Sequence, residues 1–172
     1  GVQTCALPIS DLNNSTTRWF AMGGADPSKP FEHSGLPSFS AELLQTTLNL
    51  SKPGTTPLQL SSLGLNLDTG TPGVTLHYNR DTDGSSLDPF SELDANHDPI
   101  ALLPGVDLNL SAVDTSNQPQ TLLELLTGTT YGLDKVYAFP RGDNKSTYLN
   151  SGATLFQNAR VIFDLQGQRV GF

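Results

Sequence analysis

The residues best fitted by type and spacing to do chemistry are Leu65-Asn66-Leu67-Asp68-Thr69-Gly70-Thr71. An apolar-polar-apolar alternation carries an aspartate to a strand end, and Thr-Gly-Thr then turns the chain. Gly70 lets another stretch of backbone approach closely, and the two Thr hydroxyls can hold a carboxylate in one orientation. A carboxylate fixed in this way serves as an acid–base group when a second one is held beside it. Two adjacent carboxylates cannot both ionise cheaply, so one stays protonated while the other accepts a proton.

Other chemistry-bearing patterns are weaker. Asp114-Thr115-Ser116 follows an apolar pair but lacks the glycine, and reads as a surface turn. Asp81-Thr82-Asp83-Gly84 and Asp94-Ala95-Asn96-His97-Asp98 alternate oxygen ligands as a calcium loop does, but neither ends on the closing acidic residue. In the second, Pro99 and Gly105 replace the Gly and Glu of a hand-type loop, so both read as solvated loops. His33, His77 and His97 lack metal-ligand spacing, and no Gly-x-Ser-x-Gly occurs. Arg141-Gly142-Asp143 reads as a turn. Asn13, Asn14, Asn49, Asn109 and Asn144 open glycosylation sequons, which are compatible with secretion.

The elements that must position Asp68 follow from composition. The chain has 172 residues, with 16 Gly, 12 Pro and only 15% charged residues, which favours one turn-rich, all-β domain. A net charge of −8 argues against nucleic acid as partner, and no stretch is long enough to span a membrane. Residues 1–9 resemble the translation of a sequencing-library adapter and are set aside; Cys5, the sole cysteine, falls within them. The expectation is a fragment that begins within a longer gene and can form no disulfide.

Residues 17–22 read as a strand ending in a turn over 23–29. Residues 43–50 fit either a strand or one helical turn. Residues 58–60 and 63–67 read as two short strands, and 74–78 as the strand leaving the Asp68 turn. Residues 79–99 read as a long polar loop, 106–110 as a strand and 121–126 as a short helix. Residues 131–139 stay open, 140–146 read as a loop, and 159–172 read as a hairpin.

Three segments, in order, resemble the pepsin-like aspartic proteases. Met22-Gly23-Gly24-Ala25-Asp26-Pro27-Ser28-Lys29 is similar to the Gly-Gly-x-Asp turn that precedes the family's second lobe. Asp68-Thr69-Gly70-Thr71 is similar to the second-lobe catalytic motif, where Thr is typical in fourth place. The run from Ser151-Gly152 through Val161-Ile162-Phe163-Asp164 to Arg169-Val170-Gly171-Phe172 resembles the closing segment, a Gly-containing strand running without a gap into a hairpin. The chain departs from the family at Asn150 and Ser151, where two apolar residues usually precede the glycine, and at Pro72, where a small polar residue is common. The disulfide many members carry in this lobe is also missing.

The resemblance implies a pepsin-like acid protease fold, with residues 10–40 as the tail of the first lobe and the interlobe segment, and 41–172 as the C-terminal lobe. It implies a secreted or cell-surface aspartic endopeptidase that cleaves polypeptides without metal or cofactor. Asp68 is then one of two catalytic carboxylates, with Thr69, Gly70, Thr71 and Gly152 as the supporting loop. Thr69 is expected to brace the two lobes, and Thr71 to bond an Asp68 oxygen. The other carboxylate belongs to a missing N-terminal lobe, so this chain alone is expected to be inactive. The alternatives are a pepsin-like lobe that has become a binding or inhibitor module, and an unrelated secreted β-rich surface protein.

Overall fold

Apolar residues recur at every second position through much of the chain, and the structure turns that period into strands. The computed structural model describes residues 37–40, 45–142, 145–159, 161–164 and 169–171. The strand and turn expected over 17–29 lie outside them. The elements begin with β1 (Ser38–Ser40), β2 (Gln45–Ser51), β3 (Leu58–Asn66), β4 (Thr75–Asn79) and α1 (Arg80–Leu87). There follow β5 (Ser91–Leu93), β6 (Pro99–Leu102), β7 (Asp107–Val113), β8 (Pro119–Leu126) and β9 (Tyr137–Arg141). The chain closes with β10 (Tyr148–Asn150), α2 (Gly152–Asn158), β11 (Ile162–Asp164) and β12 (Arg169–Gly171).

Among the described residues the strands form two sheets, as expected of an all-β chain. β12 lies between β1 and β11 in a small antiparallel sheet, so the expected terminal hairpin pairing forms. The other nine strands run in the order β5-β6-β9-β4-β10-β3-β2-β7-β8. In that sheet β10 is parallel to β3, and β4 is parallel to β9; the other pairings are antiparallel. One face carries the core. Leu48 and Leu50 of β2 lie directly opposite Leu110 and Leu108 of β7, and Leu76, Tyr78 and Leu149 continue the layer. Leu87 of α1 and Phe156 of α2 close over it. Each such side chain contributes roughly 1.5–3 kcal/mol of transfer free energy. No helix among the described residues is long and apolar enough to cross a membrane.

The structure corrects several readings of the sequence, and β-bulges account for two of them. Residues 121–126 form part of strand β8, not a helix. Leu110 faces Leu123 while Ser111 faces Thr121, so Leu122 is an extra residue in the ladder. Leu122 and Leu123 are both buried as a result, which breaks the two-residue period and imitates a helical face. Residues 58–60 and 63–67 belong to one nine-residue strand plus Leu67, not to two strands. Thr46 pairs with Leu63 and Leu48 with Leu60, so β3 carries an extra residue at Ser61-Ser62, and Ser62 takes a φ of 60°. That bulge shifts the apolar alternation from positions 58 and 60 to positions 63 and 65.

Residues 79–99 are not a long loop: they form α1, a 3-10 turn over Asp88–Phe90, β5 and a tight turn into β6. Asn79 caps α1, its Oδ1 accepting the Asp81 and Thr82 amides at 2.9 and 3.2 Å, and Asp81 and Asp83 favour the positive end of the helix. Only Gly84 and Leu87 of this helix are buried, so its composition is that of a solvated surface. Of residues 43–50, open between strand and helical turn, those from Gln45 onward lie in β2. Residues 131–139 divide into a turn and the start of β9, and Pro140 and Arg141, read as loop, end that strand.

Candidate functional site

β3 and β4 are consecutive in the chain but not neighbours in the sheet, because β10 lies between them. The connection, residues 67–74, must therefore arch across the end of β10. The last β10 residue, Asn150, pairs with Asn66 on one side and Thr75 on the other, the two residues where the arch begins and ends. The chain then passes beneath the arch: the Ser151 amide donates to the Asn66 carbonyl at 2.9 Å, and the Ala153 amide to the Thr71 carbonyl at 2.7 Å.

Asp68 sits on this arch, and its carboxylate is held from three directions. The Gly70 amide donates to Oδ1 at 2.8 Å, the Thr71 hydroxyl to Oδ2 at 2.7 Å, and the Asn150 side-chain amide to Oδ2 at 3.1 Å. Hydrogen bonds to the charged form favour it. The Thr71 hydroxyl, then the Asn150 amide and the Gly70 amide, hold the carboxyl below its usual range, against a smaller opposing effect of burial. Thr69 differs from expectation: it lies exposed and joins none of these carboxylate bonds. At Gly70 space is tight: a Cβ there would stand 3.1 Å from Asp68 Oδ1 and press on the carboxylate.

Gly152 is required by both conformation and space. Its φ is 54°, and a Cβ would lie 2.6 Å from the Gly73 carbonyl carbon, 2.8 Å from the Thr71 oxygen and against the Gly73 oxygen. The sequence places Gly152 in a strand running straight into the terminal hairpin; the structure instead starts α2 there, ahead of β11. Close passage under the arch ends β10 at Asn150 and turns the chain into the helix. Beyond Asp68 the arch rests on a second turn. A Cβ at Gly73 would stand 2.9 Å from the Gly132 nitrogen and 3.3 Å from the Tyr131 ring. That turn is held by the Leu133, Asp134 and Lys135 amides, all donating to the Thr130 carbonyl.

The structure thus brings Asp68, Gly70, Thr71 and Gly152 together, and it adds Asn150, which the sequence showed only as a departure from an expected apolar pair. The available signal was two polar residues, Asn150 and Ser151, directly before a glycine; they are 8% and 0% exposed. Beside the arch, the His77 ring stacks against Tyr148 at 4.4 Å and Phe139 at 5.2 Å, with Thr75 Oγ1 at 3.2 Å from its Nε2.

The rival patterns are occupied locally. Asp83 accepts the Thr147 hydroxyl. Asp94 Oδ1 accepts the Asn96 and Asp98 amides, and Asp114 Oδ1 the Ser116 and Gln118 amides, closing turns. Among the described residues no group of three or more His, Cys, Asp or Glu could hold a metal ion. Asn49 and Asn109 lie on neighbouring strands, bonded to Gln59 and Glu124; Asn13, Asn14, Asn144 and Asp143 lie outside the described residues. No model of a known protein family matches the chain, and a comparison with curated proteins likewise finds no match.

Proposed function

We propose that this chain is the second lobe of a pepsin-like aspartic endopeptidase and that Asp68 is one of its two catalytic carboxylates. One observation carries the reading: the Asp68 carboxylate is fixed by the Gly70 amide and Thr71 hydroxyl on an arch with Gly152 packed beneath it. A group held so rigidly, by donors that lie in its own loop, is prepared for proton transfer without reorganising. The pair works by sharing one proton. The ionised member takes a proton from a water as its oxygen attacks the scissile carbonyl, and the protonated member gives its proton to the carbonyl oxygen. Collapse of the resulting diol breaks the C–N bond, and the departing amine takes up a proton. The products are a carboxylic acid and an amine. Neither metal nor cofactor enters.

The second carboxylate comes from a first lobe, and Thr69, exposed on the arch, braces the two lobes where they meet. Expressed alone, the chain is inactive. The test uses the full-length gene product that carries these residues, with an unstructured peptide as substrate at acid pH. Cleavage that an active-site-directed inhibitor blocks and Asp68→Asn abolishes is expected. Cleavage unaffected by Asp68→Asn, or no cleavage at all, overturns the reading.

A further inference from the structure

We infer that Asn150 is a positioning residue of this site: its carboxamide ties Asp68, Thr71 and Gly152 together and biases Asp68 toward being the ionised member of the carboxylate pair. The catalytic half of this inference rests on the endopeptidase reading above; the ionisation half does not. The argument starts from which way the amide faces. The Gly152 N–H can only donate, and it points at the Asn150 side chain at 3.0 Å, so the atom it meets is the carbonyl oxygen. The NH2 group is thereby turned toward Asp68 Oδ2 at 3.1 Å and Thr71 Oγ1 at 3.4 Å. Asn150 is buried and fixed by sheet pairing on both sides, so it cannot swing away.

The consequences are electrostatic. Oδ2 receives two donors, the Thr71 hydroxyl and the Asn150 amide, and each favours the charged carboxylate. The titratable groups on elements packed around the arch are His77 of β4, Tyr148 of β10, and Tyr131, Asp134 and Lys135 of the supporting turn. The shift of Asp68 is led by hydrogen bonds, first that of the Thr71 hydroxyl and then that of the Asn150 amide, against a smaller effect of burial. In a pair that shares one proton, each donor to one member biases that member toward giving the proton up. A leucine at position 150 fills similar space but supplies no donor, and it leaves the buried Gly152 amide without its acceptor. An aspartate keeps an acceptor for Gly152 and places a second carboxyl where the amide was, next to Asp68.

The test is an NMR pH titration of the Asp68 carboxyl carbon in the 172-residue chain, assigned with Asp68→Asn, in wild type, Asn150→Leu and Asn150→Asp. The wild-type midpoint is expected below that of an ordinary aspartate and Asn150→Leu is expected to move it upward. Asn150→Asp is expected to give a two-step titration with one midpoint above the ordinary range. If Asn150→Leu does not fold, Asn150→Asp decides. Folded variants, judged by their methyl spectra, that leave the Asp68 midpoint at the wild-type value overturn the inference. Loss of the endopeptidase reading would leave this titration unchanged, which separates the two failures. In an active full-length protein the acid limb of kcat/KM must move upward with the Asn150→Leu titration; a fixed limb overturns the assignment of Asp68 as the ionised member.

Discussion

Replacing Gly152 by alanine asks how much of the site depends on the chain passing close beneath the arch. Two costs can be worked from the structure. The φ of 54° is left-handed, which costs a residue with a Cβ about 1–2 kcal/mol. The new Cβ also stands 2.6 Å from the Gly73 carbonyl carbon and 2.8 Å from the Thr71 oxygen. Ordinary contacts of this kind lie at about 3.5 Å, so the arch must lift by something like 1 Å. Lifting it stretches the bonds from Ala153 to Thr71 (2.7 Å) and from Gly152 to Asn150 (3.0 Å). Each is worth about 0.5–1.5 kcal/mol. The total is roughly 2–5 kcal/mol, a large share of the ~5–15 kcal/mol that holds a domain together. Gly54 supplies the control: its φ is 79°, but a Cβ there meets nothing within 4 Å, so Gly54→Ala carries the conformational cost alone. Urea unfolding at neutral pH reads both. Gly152→Ala is expected to lose several kcal/mol with an unchanged m-value, and Gly54→Ala about 1 kcal/mol. Equal losses would refute the claim that close approach, not backbone conformation, makes Gly152 necessary.

Two further outcomes follow from the same bonds. Asn79→Ala removes the cap whose oxygen takes the Asp81 and Thr82 amides, and should lower stability by about 1 kcal/mol in the same unfolding assay; no loss would mean that α1 does not need its cap. Acidification should weaken the fold in two stages. Burial, and secondarily the Arg141 charge, lowers the His77 pKa below 6.5, so the unfolded chain takes up that proton first and stability falls as pH drops from 6.5 toward the lowered value. Asp68, Asp94 and Asp114 are depressed below 3.8, chiefly by the Thr71 hydroxyl, the Asp98 amide and the Gln118 amide respectively. Their contribution is complete above 3.8 and is lost as pH falls through the lowered folded values. His77→Gln should abolish the upper stage of decline and keep the lower; a urea midpoint that is flat from pH 7 to 5 in the wild type contradicts the first stage.

What could be read from the sequence was whatever depends on near neighbours. The alternations in Val106-Asp107-Leu108-Asn109-Leu110 and Val74-Thr75-Leu76-His77-Tyr78 are unbroken, and each is a strand apart from its first residue. The Asp68 turn was visible for the same reason, because two of the three groups that hold its carboxylate lie within three residues of it. Reading failed where the period was deliberately offset. Ser61-Ser62 and Leu122 each insert one residue into a ladder, and an inserted residue makes one strand look like two, or a strand look like a helix. It also failed over residues 79–99, where a helix with one buried leucine carries almost no apolar signal.

The third holder of the carboxylate shows why the site could be read only in part. Asn150 is separated from Asp68 by a long stretch of chain, and nothing at either position announces the other. They meet because the sheet inserts β10 between β3 and β4, two strands that follow one another in sequence. That insertion forces the 67–74 connection to arch, places the end of β10 under it, and leaves room at the next position but one only for glycine. Asp68, Asn150 and Gly152 therefore share a single topological cause, and disrupting the β10 insertion should affect all three together. An apolar residue at position 150 would leave the carboxylate to Thr71 and the local amides. A carboxamide there, with its orientation fixed by Gly152, lets the closing strand act on the ionisation of Asp68 as well as on its position.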